Sequence, residues 1–84
     1  MLDHIDDEIK KIFFEVFPDL SESDFDWGKK QNDYNDWDSF SQLSLITMVE
    51  SKFGISITDD ESVTIRSAED MQKVVNRHKQ KSDS

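Results

Sequence analysis

The chain has no cysteine, one proline and two glycines among its 84 residues. Without cysteine, neither a disulfide staple nor a thiolate metal site can hold it together. So few turn-formers exclude a sheet of many tight hairpins and leave helices as the main elements. Long apolar runs are missing too. No segment approaches the ~20 residues that span a bilayer, and none follows the N-terminus as a secretory signal requires. A cytoplasmic location without membrane insertion is therefore expected. Positive charge is also scarce: ten Lys and Arg stand against nineteen Asp and Glu, for a net charge of -9. That balance excludes nucleic-acid binding by phosphate neutralisation and disfavours an anionic membrane surface. It suits basic protein partners steered in at long range, and it also serves plain solubility.

Hydrophobic residues make up 35% of the chain, enough for one modest core. The expected unit is one monomeric domain over residues 1–78, followed by a fraying tail over residues 79–84. The segment "LDHIDDEIKKIFFEVFP" sets Leu2, Ile5, Ile9, Ile12, Phe13, Val16 and Phe17 at helical spacing. This predicts a first helix from Asp3, its cap, to Phe17, stopped by Pro18. Asp6, Asp7 and Glu8 suit the positive end of its dipole. In "SFSQLSLITMVESKF" helical periodicity returns from Ser39 to Phe53, with Gly54 as the C-terminal stop. Leu43, Leu45, Ile46, Val49 and Phe53 are expected to face the core. Phe40, Ser44, Thr47, Met48 and Ser51 then form a neutral outer face. Ile55 and Ile57 belong to an extended link, followed by a short helical turn over residues 59–63. Ser67 caps a final helix whose buried stripe is Ala68, Met71, Val74 and Val75.

Between Pro18 and Asp38 lies a loop of about twenty residues with no persistent period. Its Leu20, Phe25, Trp27, Tyr34 and Trp37 argue against disorder. They are expected to pin the loop across the helices, with Trp27 and Trp37 as core anchors. Asp24, Asp26 and Gly28 hint at a calcium loop, but the glycine comes one position early and Asn35 stands where the bidentate glutamate belongs.

Catalytic patterns are equally scarce. Ser39 is not in a Gly-x-Ser-x-Gly elbow, and the two histidines, His4 and His78, lie near opposite ends of the chain as expected surface residues. No glycine-rich phosphate loop or spaced set of metal ligands is present, so no enzyme is expected. What remains is the junction Asp38-Ser39. Asp38 is an ordinary N-cap, and Asp-Ser is a frequent dipeptide. Position gives it weight: Ser39 opens the second long helix, where the N-terminus favours an anionic phosphodiester.

In this register the chain resembles the acyl carrier proteins over roughly residues 5–75. That family attaches 4'-phosphopantetheine to the serine of an Asp-Ser-Leu motif at the start of its second helix. "DSFSQLSLITMVESKFGISI" looks like its pattern, with Asp38, Ser39, Leu43, Leu45, Glu50, Phe53 and Ile57 in register. "DDESVTIRSAEDM" resembles its short third helix and the start of its fourth. The resemblance implies an all-α, four-helix acyl-carrier-like bundle of three longer helices and one short one. It also implies an arm on Ser39, supplied from coenzyme A by a phosphopantetheinyl transferase, with Asp38 supporting transfer. Acyl-loading and acyl-transfer or synthase enzymes would dock on Phe40, Leu43, Ser44, Thr47 and Met48. The chain departs from the pattern in three places: Phe40 replaces leucine, Trp37 stands where glycine is common, and Ser44 replaces a glutamate. With Glu50 the sole acid between Ser39 and Phe53, a dedicated pathway is expected in place of general fatty-acid synthesis. An aminoacyl or peptidyl carrier of the same fold and an unmodified helical interaction domain stay open.

Overall fold

Why helices form where they do is settled by their ends. The computed structural model describes the backbone of residues 4–82 and the side chains of residues 5–79. It contains α1 (His4–Val16), α2 (Ser39–Phe53), α3 (Asp59–Thr64) and α4 (Ala68–Ser82), with a 3-10 turn over Gln31–Asp33. No strand occurs among the described residues; one isolated antiparallel bridge joins Lys30 to Ser67. The expected cap Asp3 lies outside the described residues.

α1 carries Asp6 and Asp7 in its first turn, and its last turn closes as Phe17 N donates to Phe13 O at 2.9 Å. Pro18, which offers no N–H, follows. α2 is capped by Asp38, whose carboxylate accepts the Ser41 N–H at 2.9 Å. It ends at Gly54 in the left-handed region, φ 66°, where side chains with a Cβ are strained. α3 carries a full capping box: Thr58 Oγ1 accepts from Glu61 N, and Glu61 reaches back to Thr58 N. Ser67 caps α4 by accepting Asp70 N at 3.1 Å, while Asp70 accepts Arg66 N at 3.0 Å. α4 continues through Lys79 to Ser82, beyond the point where the tail was expected to begin.

α1, α2 and α4 enclose one core of Ile9, Ile12, Phe13, Phe17, Trp37, Leu45, Ile46, Val49, Ile65, Ala68, Met71, Val74 and Val75. Phe13 lies at its aromatic centre, with ring centroids 5.6 Å from Trp37, 5.9 Å from Phe17, 6.1 Å from Phe25 and 6.2 Å from Tyr34. These separations suit tilted and edge-to-face pairs. The long loop is therefore packed onto α1 by its own rings, as expected from the sequence. It is also stitched to the far end of the chain, because Gln31 N donates to Arg66 O at 2.7 Å and Glu69 N to Trp27 O at 2.9 Å.

One expectation about the core is corrected. Leu43 is 61% exposed, while Leu45, Ile46 and Val49 are buried. At about 100° per residue Leu43 sits roughly 60° further round α2 than Ile46, itself at the edge of the core. Leu43 therefore points to solvent. Substituting Phe13 with Leu should lower stability by about 1–3 kcal/mol, whereas Phe40→Ala should change it by less than about 0.5 kcal/mol. Urea unfolding of both variants tests this, and a Phe13→Leu loss no larger than that of Phe40→Ala would contradict the assigned core.

Candidate functional site

Ser39 is the first residue of α2 and is exposed. No hydrogen bond from its hydroxyl to another described residue is found. The capping role at this helix start falls to Asp38, which leaves the Ser39 hydroxyl available to solvent. The Ser41 N–H is the main reason the Asp38 carboxyl is held below its usual range; nearby backbone N–H groups add to this. Ser41 Oγ also donates to Asp36 O at 2.7 Å, fixing the turn that leads into the helix.

Beside Ser39 lies an open groove of about 260 Å³ between the start of α2 and α3. Ser39, Gln42 and Gln31 line one side, and Ser62, Val63, Ile65 and Arg66 the other. The lining is mixed: amides, main-chain carbonyls, a guanidinium and the exposed Val63, 66% accessible. Among the described residues that line it there is no imidazole and no carboxylate. A general base is thus not brought to Ser39 within this groove.

The expected docking residues divide into two groups. Phe40 is 77% exposed and shares an outward ridge with Leu43, one turn along α2. Thr47 and Met48 instead line a second groove, about 490 Å³, together with Glu8, Ile12 and Lys52. Met48 is half-buried against the core, and a Lys52–Glu8 ion pair of 3.1 Å links α1 to α2. Ser44 is half-buried between the two groups. The outer face of α2 is therefore an apolar ridge near Ser39 and, further along, a groove that charged residues of α1 and α2 also line.

His78 is corrected from a surface residue to a part-buried one. Its Nε2 lies 3.0 Å from both carboxylate oxygens of Glu61, and Arg77 Nη1 lies 3.9 Å from one of them. The N–H of Thr58, followed by His78, holds the Glu61 carboxyl below its usual range. The contact joins α4 to α3. Tyr34 shows the opposite effect: burial, helped by Asp26, pushes its phenol up to about 12. No group of three or more His, Cys, Asp or Glu that could hold a metal occurs among the described residues. No described helix is long and apolar enough to cross a membrane.

Two features were not anticipated from the sequence. Glu50 turns back to accept Ile57 N at 2.7 Å, so the single acid of α2 closes the α2–α3 link. Gln42 donates to the carbonyls of Ser62 at 2.9 Å and Ile65 at 3.3 Å while accepting Trp37 Nε1 at 2.6 Å. A polar residue at a core-facing position of an amphipathic helix was the available signal.

No family model, curated protein or solved structure matches the chain in comparisons with known proteins. Among the described residues the geometry defines four helices with an exposed serine at the start of the second, beside a groove.

The lowered carboxyls of Asp38 and Glu61 make a pH prediction. A carboxyl held low in the fold contributes stability above its unfolded pKa, and that contribution is lost as pH falls through the folded value. Asp38→Asn and Glu61→Gln should therefore be less stable than the parent near pH 7. The gap should close as pH falls below about 4, the ordinary carboxylate range. Urea midpoints measured from pH 7 to pH 3 test this; a gap that stays constant with pH would count against it.

Proposed function

We propose that this chain is a carrier protein of the acyl-carrier kind, bearing a 4'-phosphopantetheine arm on Ser39. The observation that carries the reading is an exposed, uncommitted serine hydroxyl at the first residue of a long helix capped by the preceding aspartate. An arm joined through a phosphodiester places negative charge at a helix N-terminus, where the dipole favours it. The residues around Ser39 fit such a group. The groove offers the Arg66 guanidinium near the hydroxyl, and its open side leaves room for a chain to leave the surface.

The division of labour follows. A separate phosphopantetheinyl transferase moves the arm from coenzyme A to Ser39 Oγ. When bound, the arm supplies a terminal thiol that carries an acyl cargo as a thioester. The chain's own residues break no bond in the cargo: Asp38 keeps the start of α2 wound, Ser39 is the attachment point, and the ridge of Phe40 and Leu43 gives acyl-loading, acyl-transfer or synthase enzymes an apolar contact. The chain acts as a cytoplasmic monomer on this reading. Glu50 is turned inward to Ile57, so the exposed face of α2 presents no acidic side chain. That supports a dedicated pathway in preference to the general fatty-acid machinery, whose recognition of acidic carriers the family resemblance implies.

Two readings compete. An aminoacyl or peptidyl carrier shares the fold and the serine and differs in cargo. An unmodified interaction domain is favoured by the exposed Phe40, Leu43 and Val63 alone.

Incubation with coenzyme A and a broad-specificity transferase, read by intact mass, should add one arm to the parent and none to Ser39→Ala. No addition with several transferases would leave the interaction domain as the better account. In a second test, the arm-bearing protein should be a poor substrate for general fatty-acid ketosynthases; efficient use by them would sink the dedicated-pathway part of the reading.

A further inference from the structure

α3 has an unusual hold on the rest of the molecule. It is six residues long and none of its side chains is fully buried. Too little apolar surface is removed from water along its own length to seat it. Polar contacts at its two ends supplement the neighbouring Ile57 and Ile65. At the start, Glu61 meets His78 of α4. At the other end, the Gln42 amide donates to the carbonyls of Ser62 and Ile65. The Ser62 carbonyl also accepts Ile65 N at 3.1 Å, so Gln42 adds a second donor there and reaches the Ile65 carbonyl just past the helix, a C-terminal cap supplied from α2.

Gln42 is itself held. Its Oε1 accepts the indole N–H of Trp37 at 2.6 Å, and its backbone N donates to Asp38 O at 2.9 Å. Trp37 is 5% exposed and packed on Phe13, and Gln31 Nε2 donates to its carbonyl at 3.1 Å. The acceptor and both donors of a single amide are therefore in use, which fixes its orientation. An unbroken path runs from the aromatic core through Trp37 and Gln42 to α3, which forms the wall facing Ser39.

We infer that Gln42 is a positioning residue: it seats α3 against the start of α2 and so shapes the surface that a modifying enzyme meets around Ser39. The effect on modification rests on the carrier reading above; the seating of α3 does not. Gln42 acts through α3 and does not touch the reacting atoms.

Two substitutions separate its functions. Gln42→Glu keeps the acceptor for Trp37 but replaces the donor to α3 with a second oxygen. Gln42→Met keeps the length and removes both. Backbone amide exchange followed by NMR should show Ser62 in α3 and Ile65 just after it exchanging about five- to tenfold faster in Gln42→Glu, the factor set by roughly one hydrogen bond's net worth. Amides in the middle of α1 and α4 should be unchanged. Arm transfer from coenzyme A by the transferase should show KM for the carrier raised about fivefold and kcat within about twofold, since the Ser39 hydroxyl is untouched. Unaltered exchange in α3, or a uniform increase along the chain, would overturn the inference. A kcat loss at constant KM would overturn its recognition part. If the parent chain accepts no arm, the carrier reading and the recognition part fall together, while the exchange pattern still decides the seating of α3. Gln42→Glu carries the test even where Gln42→Met does not fold.

Discussion

A buried indole must find an acceptor for its N–H or lose the hydrogen bond it made to water, a loss of about 1–3 kcal/mol. Trp37 meets that requirement through Gln42, and much of the surface around Ser39 follows from this one contact. The ring is gripped by Phe13, Phe17 and Tyr34, so the Trp37 backbone has little freedom. Asp38 and Ser39 come next in the chain and inherit that constraint. The end of the loop, the start of α2 and the last turn of α3 are thereby set relative to one another by a rigid side chain and a fully engaged amide.

The same arrangement explains how a protein with few turn residues supports an ordered loop of this length. Its rings fill the gap beside α1, and its backbone bonds to the α3–α4 junction. Tyr34 contributes its ring to Phe17 at 5.0 Å, but its hydroxyl is buried without a protein hydrogen-bond partner. Trp37 in particular is a fixed anchor just before the helix, and it gives the serine a defined setting.

Charge and apolar surface are distributed unevenly. Four carboxylates have structural duties: Asp38 and Asp70 at helix starts, Glu61 in a capping box that also meets His78, and Glu50 at the α2–α3 link. What the outer face of α2 offers near Ser39 is the Phe40–Leu43 ridge. A partner that uses this face would gain from burying apolar area, and the acidic remainder of the molecule would act through long-range attraction.

The helices were legible in the amino-acid order, because periodicity, capping residues and a single left-handed glycine are local signals. Asp38 as a cap, Gly54 as a stop and the short helix after Thr58 all depend on neighbours a few positions away. Ser39 as the position of interest was legible for the same reason. The groove beside it was not. Its far wall comes from residues about twenty positions later, and Gln42 looks like any polar helix residue until α3 is placed against it. Leu43 was misplaced because a five-residue stripe spans a wider arc than this core covers, and only the packing of α1 and α4 determines where the buried arc ends. His78 was read as surface because its partner Glu61 lies in another helix. Sequence alone therefore determined the helices, the caps of α2 and α3 and the exposed serine, through interactions within a turn or two. Tertiary structure decided which side chains face one another across the helices, since hydrogen bonds and packing between distant segments depend on how those segments are brought together.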